Sequence, residues 1–209
     1  MKLNKVLALA LSGVMAVSML AGCSNNSGNG GQNGEGDVIV TPSTGAAAIL
    51  NDEQDKIEFT NVNSSELQSA ATGLLATDLS TSSVATAATN ANTIYKRLEA
   101  LKVENLKGGW SDLGDNHDKN ETKTVTLVYQ MSGAYSMDEL VEQIAKQIKA
   151  DDTNIRGKAV VSTGENKIYN YSYTGTVSTV NATSIDGVQS ANYVLLTVTE
   201  SVTVEDAII

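Results

Sequence analysis

The chain has 209 residues, of which 41% are apolar and 18% charged, so most of it can form a folded core. Its net charge is −10, which excludes nucleic acid as the default partner because phosphate recognition needs clustered cations. One cysteine excludes an intrachain disulfide framework, and one histidine excludes a multi-histidine metal site within one chain.

The N-terminus has the organisation of a signal peptide. Lys2 and Lys5 precede a mainly apolar run from Val6 to Leu20. This run of 15 residues is short for a membrane-spanning helix, which needs about 20, but it suits the apolar region of a signal peptide. Residues 1–22 are therefore predicted to be a targeting segment rather than part of the folded protein.

The end of this segment, Leu20-Ala21-Gly22-Cys23, resembles the lipobox of bacterial lipoproteins. The resemblance implies cleavage between Gly22 and Cys23 and a diacylglycerol on the Cys23 thiol. It also implies a lipid-anchored location on the outer face of the bacterial cytoplasmic membrane. Removal of residues 1–22 leaves a net charge of −12, which anionic headgroups repel. The lipid on Cys23 is therefore expected to be the only contact with the membrane.

A flexible linker is expected to follow the lipidated cysteine. Residues 24–37 read SNNSGNGGQNGEGD, and a coil of this composition spans about 20 Å. Val38-Ile39-Val40 has the character of a short strand, but Pro42 and Gly45 weaken that prediction. The cysteine and linker are accordingly assigned to residues 23–45, and a single folded domain to residues 46–209.

Two helices are predicted next, and together they would form a hairpin. The first begins near Asn63, which with Glu66 gives an N-terminal cap. The second is predicted from Val84 to Val103 and ends before Gly108 and Gly109. Both predictions rest on apolar residues at helical spacing. In the first helix these are Leu67, Ala70, Ala71, Leu74 and Leu75.

The second half of the sequence is mainly typical of strands. Strands are predicted at residues 123–131, 157–163, 167–180 and 192–204. One amphipathic helix separates the first two of them, and Ser136 with Glu139 forms its capping box. This order indicates an α+β fold, with a mainly antiparallel sheet of about four strands. The helical hairpin and the amphipathic helix would cover one face of that sheet.

Motifs for catalysis or cofactor binding are absent from the sequence. His117 lies in a polar loop, and no G-x-S-x-G, H-E-x-x-H or phosphate-binding loop occurs. The acidic run Asp52, Glu53, Asp55 and Glu58 is expected to coat a solvated surface. Two carboxylates from distant parts of the chain remain the one open route to catalysis. No cofactor is predicted.

One loop is dense in the oxygen ligands that calcium prefers: Asp112, Asp115, Asp118, Asn120 and Glu121. It does not match an EF-hand, because Glu121 stands where that loop needs glycine and Leu127 where it needs glutamate. A different kind of calcium site and an ordinary solvated turn both remain open.

Aromatic residues give the remaining candidates for a binding site. Tyr169, Tyr171 and Tyr173 alternate along one strand and so share a face. They are either packed under the helices, with their hydroxyls paired at the edge, or exposed as a stripe that binds a glycan or a protein. Trp110 is a candidate for a sugar subsite. Gly175 either leaves room for a ligand or eases a bend.

The sequence thus favours a surface lipoprotein with a non-catalytic binding or structural role in the cell envelope, with an envelope protein or glycan as partner. Two alternatives remain: a small carboxylate-dependent hydrolase acting on envelope polymers, and an accessory solute-binding lipoprotein. At roughly 160 residues, the domain is small for a two-lobed solute-binding protein.

Overall fold

A computed structural model describes residues 37–113, 122–156, 159–162 and 167–206. These residues form a seven-stranded sheet with four α-helices, which confirms the predicted α+β class. In this part of the chain, no helix has both the length and the apolar character needed to cross a membrane.

The strands are β1 (Val38–Ser43), β2 (Glu58–Asn61), β3 (Thr86–Ala87), β4 (Thr122–Ser132), β5 (Ala159–Ser162), β6 (Lys167–Ser184) and β7 (Ser190–Asp206). The helices are α1 (Ala46–Glu53), α2 (Ser65–Thr72), α3 (Thr93–Ala100) and α4 (Met137–Ala150). Two short 3₁₀ turns lie at Ala76–Leu79 and Trp110–Asp112.

The long antiparallel hairpin of β6 and β7 forms the centre of the sheet. β4 pairs antiparallel with the other edge of β7, and β3 pairs with β4. Three short strands share the other edge of β6: β5 against residues 167–170, β2 against 174–177 and β1 against 179–184. Of these, only the β2 pairing is parallel, so the sheet is mainly antiparallel, as predicted.

Helices cover both faces of the sheet, and the prediction that they cover one face is wrong. Val194, Leu196 and Val198 of β7 belong to the same core as α1 and α4. The alternate residues Tyr193 and Leu195 belong to a second core with α2 and α3. The physical reason is that β7 is apolar at successive positions here, so both of its sides must be buried. We call the two sides the α1/α4 face and the α2/α3 face.

The capping box predicted for α4 is present. The backbone N–H of Glu139 donates to Ser136 Oγ (3.1 Å), and the backbone N–H of Ser136 donates to Glu139 Oε2 (2.8 Å). The helix buries one apolar face against the sheet and α1, through Leu140, Val141, Ile144, Ala145 and Ile148.

The folded part starts earlier than predicted. Val38 is buried and lies opposite Ser184, so the short strand exists and adds an edge to β6. Pro42 is tolerated because β1 is an edge strand, where a missing N–H costs little. The domain therefore includes Val38–Ser43, which were predicted to belong to the linker, and α1 and β2 follow where no element was predicted.

The helix predicted from Val84 to Val103 is much shorter. Only Thr93–Ala100 is helical, while Thr86 and Ala87 pair with β4 as β3. The N–H of Ala88 donates to Val128 O (2.8 Å), and Asn92 Oδ1 accepts from the N–H of Thr89 (2.9 Å). Threonine and asparagine side chains compete with helical backbone bonds in this way, which the alanine-rich spacing concealed. α2 and α3 still pack against each other, as the predicted hairpin requires.

Candidate functional site

The α2/α3 face is apolar at one end and rich in hydroxyl groups at the other. Near the β6–β7 turn, Val180, Ala182 and Tyr193 are buried with α2 and α3. Farther along the same strands the side chains become Thr and Ser. This threonine floor consists of Thr124, Thr126, Thr174, Thr176, Ser178, Thr197 and Thr199.

Two segments rise beside this floor and enclose a cavity of about 460 Å³. On one side lie Val62 and Ser64, between β2 and α2. On the other side lie residues 101–105, which follow α3. This second wall is fixed to β4, because the N–H of Thr126 donates to Asn105 O and the N–H of Lys107 donates to Thr126 O, each at 2.8 Å.

A depression of about 310 Å³ lies next to this cavity, over β6 and β2. Both are lined by Thr176 and Thr197, so together they form one groove across the sheet. Glu58 and Thr60 lie at its far side. We call the two together the threonine groove.

Hydroxyl groups of the floor pair across β4 and β7. The Oγ1 atoms of Thr124 and Thr199 are 3.0 Å apart, and those of Thr126 and Thr197 are 3.2 Å apart. A hydroxyl has one donor and two acceptor positions, so a paired threonine keeps capacity for a further bond. The methyl groups of the same residues add apolar contact area. Such a surface suits a ligand that carries both hydroxyls and apolar ring faces.

Sequence reasoning did not identify the groove, although a signal was present. Threonine alternates in β4, β6 and β7, but these positions looked like the ordinary solvated side of each strand. What the sequence did not show is that two chain segments rise beside them.

The three tyrosines of β6 are buried on the opposite, α1/α4 face. Tyr169, Tyr171 and Tyr173 are 8%, 4% and 7% exposed, so the interpretation as an exposed aromatic stripe is wrong. The hydroxyls of Tyr171 and Tyr173 find partners at the edge, as the alternative interpretation predicts. The N–H of Arg156 donates to Tyr173 Oη (3.0 Å), and the guanidinium donates to Tyr171 Oη (3.4 Å).

Tyr173 also contacts a buried carboxylate that the sequence did not single out. Its hydroxyl donates to Glu200 Oε2 at 2.9 Å, and Glu200 is 1% exposed. Burial raises the pKa of Glu200 and outweighs the opposing effects of the Tyr173 hydrogen bond and of the positive charges on Lys123 and Arg156. Burial also raises the pKa of Tyr173.

Glu200 has the raised pKa that a general acid needs, but acid–base work on a glycosidic bond also needs a second carboxylate on the other side of that bond. The carboxylate hydrolase therefore stays a prediction. The acidic run Asp52, Glu53, Asp55 and Glu58 is exposed, which confirms that it coats a solvated surface.

A second depression lies at the edge of β6, in the gap between β5 and β2. It has a volume of about 850 Å³, and Lys56, Arg156 and Tyr171 are among its lining residues. Lys56 Nζ is already bound to Asp152 Oδ1 (2.8 Å) and to Asp151 O (3.0 Å). This depression is lined by four charged side chains, Asp55, Lys56, Glu58 and Arg156, whereas the threonine groove presents an array of hydroxyl groups.

Trp110 and Gly175 both belong to the core. Trp110 is 8% exposed, and its Nε1–H donates to Tyr129 Oη (2.9 Å), so it does not line a sugar subsite. Burial raises the pKa of Tyr129 to about 12. The space beside Gly175 is filled by the ring of Phe59, whose Cε1 would lie 2.4 Å from an added Cβ. On that side of β6 there is no room for a ligand, whereas on the other side Gly175 borders the depression over β6 and β2.

Most of the acidic loop lies outside the described residues: Asp115, His117, Asp118, Asn120 and Glu121, together with the side chain of Asp112. The signal peptide, Gly22 and Cys23 also lie outside. Across the described ranges, no group of three or more His, Cys, Asp or Glu side chains is arranged to hold a metal ion. The calcium site stays a prediction.

Comparison with known proteins finds no matching family model, no matching curated protein and no matching solved structure. The function is therefore argued from this α+β domain and its groove.

Proposed function

We propose that this protein is a bacterial lipoprotein, held by a diacylglycerol on Cys23 at the outer face of the cytoplasmic membrane. Its domain is a non-catalytic binding module for an uncharged glycan of the cell envelope. The anchor rests on residues 1–23, where charge, apolar run and lipobox follow one another in the required order.

The observation that carries the binding role is the threonine groove. It crosses β4, β7 and β6 and reaches β2, so its hydroxyl groups form an array rather than a single contact. Hydroxyls donate and accept, as sugar hydroxyls do, and the sheet holds them in place before a ligand arrives.

The net charge of the chain favours an uncharged glycan over an acidic one as the ligand. At a net charge of −12, the mature chain as a whole repels acidic polymers, which lowers their association rate. Among the residues that line the groove, Glu58, Glu66 and Glu104 outnumber the one cation, Lys102, so the local charge is negative as well. An uncharged polysaccharide avoids this repulsion.

The anchor is tested by measuring the intact mass of the chain purified from bacterial membranes. The proposal expects a mature chain that begins at Cys23 and carries at least a diacylglycerol. The Cys23→Ser variant is the control, and it should keep its signal peptide or leave the membrane fraction. A chain that begins at another residue, or an unmodified Cys23 in the membrane fraction, contradicts the anchor.

The binding role is tested by thermal unfolding of residues 24–209 in the presence of neutral glycans, acidic polymers and peptides. A ligand that binds only the folded state adds about 2.7 kcal/mol at a hundredfold excess over Kd. For a domain of this size that is a rise in Tm of roughly 5–10 °C. The proposal expects this rise with a neutral glycan. A rise with acidic polymers or peptides alone contradicts the proposed ligand class.

A further inference from the structure

Two apolar side chains at the turn between β6 and β7 are unusually exposed. Ile185 is 69% and Val188 78% exposed, the largest values among the described large hydrophobic residues. The turn that carries them is well fixed. The N–H of Ser184 donates to Gln189 O and that of Gly187 to Ser184 O, each at 2.8 Å, and Gly187 has a φ of 72°.

The chain enters the domain beside this turn. The N–H of Ile185 donates to the carbonyl of Asp37 (2.9 Å), the first described residue. Between Asp37 and Cys23 lie 13 residues rich in Gly, Asn and Ser, for which the sequence predicts a coil that spans about 20 Å. A lipid on Cys23 would therefore hold the membrane within reach of Ile185 and Val188.

Further exposed apolar residues lie at the same end of the sheet. Ile39 is opposite Thr183, and Tyr135 is fixed there because its carbonyl accepts from Asn192 Nδ2 (2.8 Å). Val84 follows Ser82, whose carbonyl accepts from the N–H of Ser132 (2.7 Å). The tip patch, as we call this set, comprises Ile39, Val84, Tyr135, Ile185 and Val188. It holds five of the eight exposed large hydrophobic residues of the described chain.

Acidic groups around the tip patch limit the kind of lipid that it suits. Asp37, Asp186, Asp138 and Glu139 are exposed at this end. Asp186 Oδ1 accepts from Ser184 Oγ (2.6 Å) and from the N–H of Val188 (3.0 Å), which holds it in the turn and lowers its pKa. Negative charge here opposes contact with anionic headgroups and leaves a net-neutral interface as the favourable surface.

We propose that the tip patch contacts a net-neutral lipid interface, as a second membrane contact beside the lipid on Cys23. This inference rests on the anchor proposed above and departs from the expectation that the lipid is the only contact. It gives the domain an orientation. Thr176 lies eight residues from Ser184 along β6, so the threonine groove would lie about 25 Å from the lipid, on the side that faces the envelope.

The test uses the full lipidated chain in phosphatidylcholine vesicles. Because the lipid occupies the thiol of Cys23, a cysteine introduced by Val188→Cys is the one free thiol and accepts a fluorophore. Thr122→Cys, an exposed position at the opposite end of β4, is the matched control. We expect headgroup-level spin-labelled lipids to quench the label at 188 several-fold more than the label at 122. Ile185→Ser in the Val188→Cys chain, or added phosphatidylglycerol, should reduce this difference.

Each of the other outcomes contradicts the proposed contact between the tip patch and the lipid. Equal quenching at positions 188 and 122, in a chain that floats with the vesicles, overturns the contact and leaves the anchor standing. A label at 188 that is shielded from water but not quenched by the spin-labelled lipids overturns the lipid contact. It would mean that the tip patch contacts a second copy of the chain instead. A chain that does not float overturns both proposals.

Discussion

Tyr173 and Glu200 lie directly opposite each other on β6 and β7, and the tyrosine hydroxyl donates a 2.9 Å hydrogen bond to the buried carboxylate. Only one oxygen of that carboxylate is satisfied, because Oε1 has no hydrogen-bond partner in the described chain. Burial disfavours the charged form of the carboxylate, and this is the physical reason for the raised pKa of Glu200.

The first prediction concerns the pH dependence of stability. The pKa of Glu200 is higher in the folded than in the unfolded chain. The stability that this difference contributes is therefore fully present below about pH 4.5, the ordinary pKa of the group. It is lost as the pH rises through the pKa of Glu200 in the folded chain. Glu200→Gln should raise the free energy of unfolding at pH 7 by about 1 kcal/mol, with a smaller gain at pH 4. Urea unfolding at both pH values measures this.

The control is Glu205→Gln, an exposed position on the same strand. It should change the free energy of unfolding little at either pH. A Glu200→Gln chain that is less stable than its parent at pH 7 would mean that the carboxylate is needed in its charged form.

The second prediction concerns the packing of β2 on β6. A methyl group at Gly175 would meet Phe59 Cδ1 at 2.5 Å and Ile57 Cγ2 at 3.2 Å, so Gly175→Ala should cost about 1–3 kcal/mol. Phe59→Leu in the same chain should recover part of that loss. Gly109→Ala, where nothing lies within 4 Å of the added atom, serves as the control. Equal stability of the two alanine variants would show that this contact is absent.

The third prediction concerns the start of α4. Ser136→Ala removes the side-chain acceptor for the N–H of Glu139 and should lower the free energy of unfolding by about 1 kcal/mol. Ser69, an exposed residue inside α2, gives the comparison. Ser69→Ala should be neutral or slightly stabilising, since alanine favours a helix. Thermal unfolding of both variants decides the matter, and equal losses would contradict the capping role.

The fourth prediction separates the core role of Trp110 from a role in binding. Trp110→Phe leaves the hydroxyl of Tyr129 without its donor at 2.9 Å and should cost about 1–3 kcal/mol. Affinity for a ligand of the threonine groove should stay unchanged, because Trp110 is not among the residues that line it. A variant that is as stable as the parent chain but no longer binds the ligand would show that Trp110 contacts the ligand.

Regular patterns in the sequence identified a large part of the fold. The apolar alternation of Val125, Leu127, Tyr129 and Met131 marks β4, and the capping box with one apolar stripe marks α4. These signals are local, and each reports a single element. The error over residues 84–92 is also local in origin, because alanine has helical propensity wherever it stands, while the partner strand that captures Thr86 and Ala87 is distant in sequence.

The candidate site was less accessible to prediction. The threonine groove exists because residues 101–105 fold onto β4 and because Val62 and Ser64 rise beside β6, and neither contact leaves a local pattern. For the three tyrosines of β6, by contrast, a local pattern is present but does not decide whether they are buried. Their period of two correctly placed them on one face, but only the sheet's packing against other elements decides that this face is buried.

The most direct test of the glycan-binding claim compares two substitutions on the same sheet face. Thr176→Tyr places a large ring in the threonine groove, whereas Thr203→Tyr adds the same ring at an exposed position outside it. With the neutral glycan that stabilises the parent chain, calorimetric titration should show at least a tenfold weaker affinity for Thr176→Tyr and an unchanged affinity for Thr203→Tyr. Unchanged affinity in both variants, with both folded, would contradict the account.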